Sequence, residues 1–427
     1  MIPRIVFVSL FAGLLAGQPA PAPDPAVAGR QALDLLLAQK YAELERMFTP
    51  EVADALPEAA LKGVGGQIQS LGAPQSIGQP QRQAAGELTM VLISVTFAQV
   101  ELVFQFSLTA DGKIAGMHFR PSSPPSAAWE RPLYSKPDAF RERDVTVGDD
   151  EWKLPGTLSV PTGSGRFPGV VLVHGSGPND RDETVEAVKV FKDLAEGLAS
   201  RGVAVLRYEK RTKQYPEKMR ALKTVHDETI DDAVRAGALL RAQPEVDPKR
   251  VFVLGHSLGG NQAPRIGQVD DHLAGLIILA GPVRPLEDFI VEQGEYLGAP
   301  PQTLAALRAQ VAQVKALRPG DENAPAALNA PASYWLDLKG YDPAALAKTL
   351  TIPMLILQGE RDYQVSMKDF ALWKSALGDR SNVTLKAYPT LNHLFVAGEG
   401  KSLPAEYSKP GHVAPEVIDD IVAFVTK

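Results

Sequence analysis

The chain predicts an α/β protein: a mostly parallel sheet with helices on both faces and an inserted helical cap, preceded by a small α+β domain. Three observations predict it. Short apolar runs at 169–173, 203–206, 251–254, 276–279 and 354–357 alternate with helical patterns such as 187–199 and 230–240, as strands buried on both faces do. The interval 285–350 separates two of these strands by about 65 residues, too long for a simple crossover, and carries helical patterns, notably 303–317. Ahead of this region, a helical pattern is followed by strand-like runs without the alternation.

In chain order, Arg4, an apolar stretch at 5–15 and the small residues of 16–22 read as a secretory signal over 1–22. About 11 apolar residues fall short of the roughly 20 that a helix needs to cross a bilayer. The expected protein is therefore periplasmic or secreted, with no stable membrane anchor after signal cleavage. Between 32 and 48, Leu33, Leu36, Leu37, Tyr41, Leu44, Met47 and Phe48 recur at helical spacing, predicting one amphipathic helix. Strand patterns follow at 88–97, 100–108 and 114–119, the last two joined at Asp111-Gly112. These make a small domain over 23–122. Pro121-Ser122-Ser123-Pro124-Pro125-Ser126 cannot sustain a strand, so 123–140 reads as a linker and 141–427 as the second domain. That domain opens with strands near 145–147 and 158–160. Its cap, 285–350, should cover the carboxyl ends of the strands, where open α/β sheets bind ligands.

Composition narrows the function. At 427 residues, with 45% hydrophobic and 22% charged residues, the chain fits a soluble two-domain protein. A formal charge of -6 offers no general attraction for nucleic acid. With no cysteine, disulfides, thiolate zinc sites and a cysteine nucleophile are closed. No H-E-x-x-H pair, Walker loop or G-x-G-x-x-G after a strand occurs, so neither a metal nor a cofactor is expected. Oligomeric state is not encoded in any readable pattern.

The most informative segment is Gly255-His256-Ser257-Leu258-Gly259-Gly260, directly after the apolar run 251–254. A serine between spaced glycines after a strand is the nucleophile-elbow pattern, in which side chains at the glycine positions would collide with neighbouring backbone. A serine hydroxyl needs a base and a group that orients the base. Asp362, in Gly359-Glu360-Arg361-Asp362, lies just past the strand at 354–357, with Glu360 as its competitor. His393, in Leu391-Asn392-His393, follows a strand pattern at 383–387 and competes with His174, His226, His256, His272 and His412. In His174 and His256 the backbone of the motif is expected to matter more than the ring. The developing oxyanion needs amide donors, and the candidates are Leu258 together with Ser176 or Gly177 of His174-Gly175-Ser176-Gly177-Pro178.

These motifs, with Val171-Leu172-Val173 ahead of His174 and Gln358 ahead of Gly359, resemble an α/β-hydrolase of the exported esterase and dienelactone-hydrolase-like group. The resemblance covers about 141–427. Members of that group often carry a small N-terminal domain, to which the cystatin-like α+β segment is similar. The resemblance implies a hydrolase of small-molecule carboxylic esters with Ser257, Asp362 and His393 as its triad. The chain departs from the group at Thr212, where glycine is usual. Dienelactone hydrolases proper use a cysteine nucleophile, so the absence of cysteine argues against that activity.

Further signals have two readings each. Arg211, in the basic run 207–223, could contact an anionic substrate or belong to a solvated face. Tyr334 and Trp335 could line an acyl pocket or fill a core. Asn179-Asp180-Arg181-Asp182 resembles a metal cluster in composition but reads better as a hydrogen-bonded loop clasp. A serine peptidase of the prolyl-oligopeptidase type shares the triad order, yet about 100 residues of α+β sequence cannot supply the propeller such enzymes usually carry. A binding protein on a hydrolase scaffold is the other rival, made unattractive by the intact triad.

Overall fold

Continuous apolar strands alternate their side chains between two faces, and this periodicity builds the larger unit. Val171 and Val173 enter one core and Val170 and Leu172 the other; Val251 and Val253, then Phe252 and Leu254, divide in the same way. The computed structural model describes residues 24–427 except 70, 87, 99, 123–128, 149–150 and 222–223. The signal expected at 1–22 and residues 123–128 of the expected linker lie outside the described residues. The chain divides into two compact units, Met1–Pro124 and Pro125–Lys427.

In the first unit, Asp24 caps helix α1 (Pro25–Leu37) by accepting from the Ala26 amide at 2.8 Å, with proline in the first turn. Short helices α2 (Tyr41–Glu45) and α3 (Pro50–Ala55) and the longer α4 (Glu58–Gln69) follow. The single helix expected over 32–48 is thus two: it starts earlier, at the Asp24 cap, and breaks where Gln39 turns to φ +61°. Strands β1 (Ser76–Ile77), β2 (Gln81–Ala85), β3 (Leu88–Thr96), β4 (Glu101–Leu108) and β5 (Ile114–Pro121) form an antiparallel sheet in the order β1-β3-β4-β5, with β2 also on β3. Its buried face, including Val91, Ile93, Phe104 and Phe106, packs with Leu33, Leu36 and Leu61 of the helices.

The second unit begins with β6 (Phe140–Val147), β7 (Leu154–Pro161) and β8 (Phe167–Val173), then a small hairpin of β9 (Thr184–Val185) and β10 (Val188–Lys189). Helix α5 (Val190–Ala199), β11 (Ala204–Tyr208), α6 (Arg211–Gln214), a π-helical turn at His226–Ile230 and α7 (Asp231–Arg241) lead to β12 (Val246–His256) and α8 (Leu258–Val269). After β13 (Gly275–Leu279) come four helices, α9 (Leu286–Tyr296), α10 (Pro301–Ala316), α11 (Ala332–Leu338) and α12 (Pro343–Thr349). The chain closes with β14 (Met354–Gly359), α13 (Met367–Leu377), β15 (Val383–Tyr388) and α14 (Pro415–Val425).

The eight strands lie in the order β15-β14-β13-β12-β8-β11-β7-β6. All neighbours from β15 to β11 are parallel, and β7 and β6 pair antiparallel at one edge. Helices α5 and α14 cover one face, and α7, α8, α12 and α13 cover the other. This is the predicted mostly parallel sheet with helices on both sides. Its consequence for function is geometric: the loops after β8, β12, β14 and β15 all leave from the carboxyl edge of one parallel set.

Candidate active site

Ser257 sits between β12 and α8 at φ +53° and ψ -115°, a conformation that costs a non-glycine residue about 1–3 kcal/mol. The surroundings impose it. A Cβ on Gly255 would strike the Gly259 carbonyl, and one on Gly259 would strike the Val173 carbonyl. The Ser257 amide donates to Leu279 O at 2.9 Å, and the Ser257 carbonyl accepts from the Asn261 amide at 2.9 Å. The side chain is thereby presented to a cavity of about 700 Å³. Leu258 opens α8, so its amide has no acceptor within the helix and lies at the positive end of the helix dipole.

Asp362 occupies the turn after β14 and is buried. One carboxylate oxygen accepts from the amides of Gln364 and Val365 at 2.8 and 2.9 Å, and the other from Gln358 Nε2 at 3.0 Å and His393 Nδ1 at 2.7 Å. Glu360, its competitor, is exposed. Among the described residues His393 Nε2 has no partner, which leaves that nitrogen available for proton transfer. The structure therefore joins Asp362 to His393. Of its competitors, the His174 ring, whose pKa burial lowers to about 4, faces the Asp180 carbonyl, His412 meets Asp193, and His226 and His272 lie against Asp231 and Asp271.

His256 and Glu183 form a second buried pair beside the first. Glu183 Oε2 lies 3.0 Å from His256 Nδ1, Glu183 Oε1 accepts from the Gly175 amide at 2.7 Å, and His256 Nε2 lies 2.9 Å from the His393 carbonyl. The His256 ring thus has an acceptor at each nitrogen. Burial pulls its pKa down, but the Glu183 charge and hydrogen bond and the His393 carbonyl carry it above its ordinary value. Glu183 moves the other way: burial raises it, and His256 brings it net below the usual carboxylate range. The pair thus ties the loop of Gly175 to the loop of His393. Glu183 also stands at φ +47°, a strained position of the kind that gathers at functional sites.

Ser176 and Gly177 line the cavity with Ser257 and Leu258, and so do Tyr334 and Trp335 of α11. The two aromatic residues both line this cavity and fill a core. They are buried in a cluster with Leu258, Val314 and Leu317, and their polar atoms are bonded, Tyr334 Oη to Glu228 at 2.8 Å and Trp335 Nε1 to Ala327 O at 2.9 Å. Arg211 requires a correction. It is buried, its guanidinium grips Asp232 at 2.5 and 2.9 Å and stacks over Trp152 at 4.6 Å, and it does not line the cavity. A carboxylate from α7 already takes the charge, so Arg211 is neither on a solvated face nor free for an anionic substrate.

The Asn179–Asp182 loop is a clasp. Asn179 Nδ2 donates to the Gly175 and Ser176 carbonyls, Asp180 accepts from the amide and hydroxyl of Thr184, Arg181 meets Glu209, and Asp182 meets Arg207. Among the described residues one set of potential metal ligands clusters, Asp270, Asp271 and His272. Asp270 there is already bonded to Arg241 at 2.8 Å, and none of the three lines the cavity. Among the described residues, no helix is long and apolar enough to cross a membrane.

Residues 170–415 match the model of the alpha/beta hydrolase family. The chain is 38% identical over 397 residues to Esterase EstD of Thermotoga maritima, covering 92% of this chain and 93% of that protein. Among solved structures, Est1E from Butyrivibrio proteoclasticus aligns with a TM-score of 0.44 at 17% identity, over 66% of this chain and 99% of its own. A dienelactone hydrolase from Anabaena variabilis aligns at 0.42 and 17%, over 67% and 98%.

Proposed function

Since the chain belongs to the alpha/beta hydrolase family, we propose that it is a serine esterase that cleaves small carboxylic esters through an acyl-enzyme. The observation that carries this reading is the His393–Asp362 hydrogen bond of 2.7 Å on the sheet edge that also presents Ser257. His393 Nε2 takes the proton from Ser257 Oγ as that oxygen attacks the ester carbonyl. Asp362 fixes the tautomer and orientation of the ring and stabilises the imidazolium. The carbonyl electrons move onto oxygen, where the Leu258 and Ser176 amides receive the charge. Collapse expels the alkoxide, which leaves as the alcohol with the proton from His393. Water then repeats the sequence on the acyl-enzyme, releasing the acid and restoring Ser257. No step draws on a metal or redox group.

The strong homology to an esterase over 92% of the chain supports ester rather than amide cleavage. The apolar cavity walls supplied by Leu286, Phe289 and Ile290 suit an acyl or alkyl group. Hydrolysis of p-nitrophenyl esters from acetate to palmitate, with Ser257→Ala in parallel, tests the reading. Activity confined to the parent chain supports it. Inactivity on every ester, with release of amino acids from short peptides, would replace it by a peptidase. Export, inferred from the residues at 1–22, is checked by cell fractionation and by sequencing the amino terminus of the mature protein.

A further inference from the structure

We propose that Lys210 is a positioning residue of this enzyme, setting the direction of the Ser176 amide in the oxyanion hole by holding the carbonyl of the same peptide unit. The inference rests on the esterase reading. Lys210 is buried after β11, and its Nζ donates to the Gly175 carbonyl at 2.7 Å. A trans peptide is planar, so the carbonyl of Gly175 and the N–H of Ser176 point in opposite directions. Fixing the oxygen on the Lys210 side fixes the hydrogen on the other. Among the described residues that amide has no acceptor of its own, and Ser176 lines the cavity beside Ser257. A cationic donor on the carbonyl also draws electron density from the amide, strengthening its hydrogen bond to a developing oxyanion.

A buried ammonium requires a counter-charge, and the structure supplies one from the cavity wall. Glu228 Oε1 meets Lys210 Nζ at 2.6 Å, and Glu228 Oε2 accepts from Tyr334 Oη at 2.8 Å. Burial, then the neighbouring Glu228, pushes the Tyr334 hydroxyl far above its ordinary range, so it stays a donor. Glu228 belongs to the π-helical turn His226–Ile230, a local widening that often accompanies functional sites. A continuous polar chain therefore runs from Tyr334 through Glu228 and Lys210 to the Gly175–Ser176 peptide. Asn179 Nδ2 braces the same carbonyl from a second direction at 3.1 Å.

The test compares Lys210→Met/Glu228→Gln, which leaves no buried charge alone, with Glu228→Gln, in which Lys210 keeps the Gly175 carbonyl but loses its counter-charge. Both are assayed on p-nitrophenyl acetate and titrated with a trifluoromethyl ketone, whose adduct with the serine places an oxyanion in the hole. Relative to Glu228→Gln, the double variant is expected to lose kcat by about 10- to 100-fold, with KM little changed and inhibitor affinity falling in parallel. A merely structural role would lower the melting temperature and leave kcat and inhibitor affinity equal between the two variants, overturning the proposal. The half-buried Asn179→Ala gives an independent reading should the double variant not fold. It is expected to lower kcat and inhibitor affinity together, and unchanged values would also overturn the proposal. Labelling of the parent chain by a fluorophosphonate separates the two levels: absent labelling sinks the esterase reading itself, whereas normal labelling with equal variants sinks only the role of Lys210.

Discussion

At the scale of single residues, chemistry and architecture meet in two histidine–carboxylate pairs that do different work. Ser257→Ala and His393→Ala should each reduce kcat on the order of 10⁴–10⁶-fold, and Asp362→Asn by about 10⁴-fold, with melting temperatures close to the parent's. The Glu183–His256 pair predicts a pH dependence of stability. Glu183 is depressed from 4.5, so its contribution is present above that value and fades as pH falls through the lower folded pKa. His256 is raised from 6.5, so its contribution is full below that value and fades as pH rises through the higher folded pKa. Stability from the pair is therefore greatest between the two ordinary values, 4.5 and 6.5. In Glu183→Gln, melting temperatures measured from pH 4 to 8 should lose this maximum; an unaltered curve would refute the ion pair. The first pair was legible in the sequence because each member follows a recognisable strand. The second was not: Glu183 lies in a loop of mixed charge, and nothing in Gly255-His256-Ser257 reveals that the His256 ring reaches both a carboxylate and the His393 carbonyl.

At the scale of elements, the strands were legible because burial on both faces demands unbroken apolar runs, as in Val170 to Val173. Element ends and long-range ion pairs were not. The break at Gln39 depends on one left-handed residue that the hydrophobic spacing does not encode. Arg211 was misread for a related reason: a basic run looks solvated until Asp232, on the first turn of α7, is brought against it. Replacing Arg211 by Met strands a buried carboxylate and should cost about 3–5 kcal/mol, toward the lower end because Arg235 remains 3.6 Å from Asp232. Denaturant titration reads that loss, and KM for p-nitrophenyl acetate should stay at the parent value. A raised KM with unchanged stability would restore Arg211 to the substrate. The helices between β13 and β14 contribute Phe289, Tyr334 and Trp335 to the cavity, while Ser257, Asp362 and His393 stand on loops outside that segment.

At the scale of the whole molecule, the two units have separate cores, and every residue assigned to the proposed chemistry belongs to Pro125–Lys427. That unit expressed alone should fold and turn over p-nitrophenyl acetate at the full-length rate; a folded but inactive product would give the first unit a part in the reaction. The placement of β15 has a temporal meaning as well. His393 follows the last strand of the sheet, and its carbonyl closes the contact with His256 that also ties down Gly175 through Glu183. A ribosome delivers Ser257 long before His393, so on the proposed mechanism the growing chain carries the attacking hydroxyl before its base and before the contact that ties down Gly175. On that mechanism the enzyme stays inert until its final strand and the loop beyond it are complete.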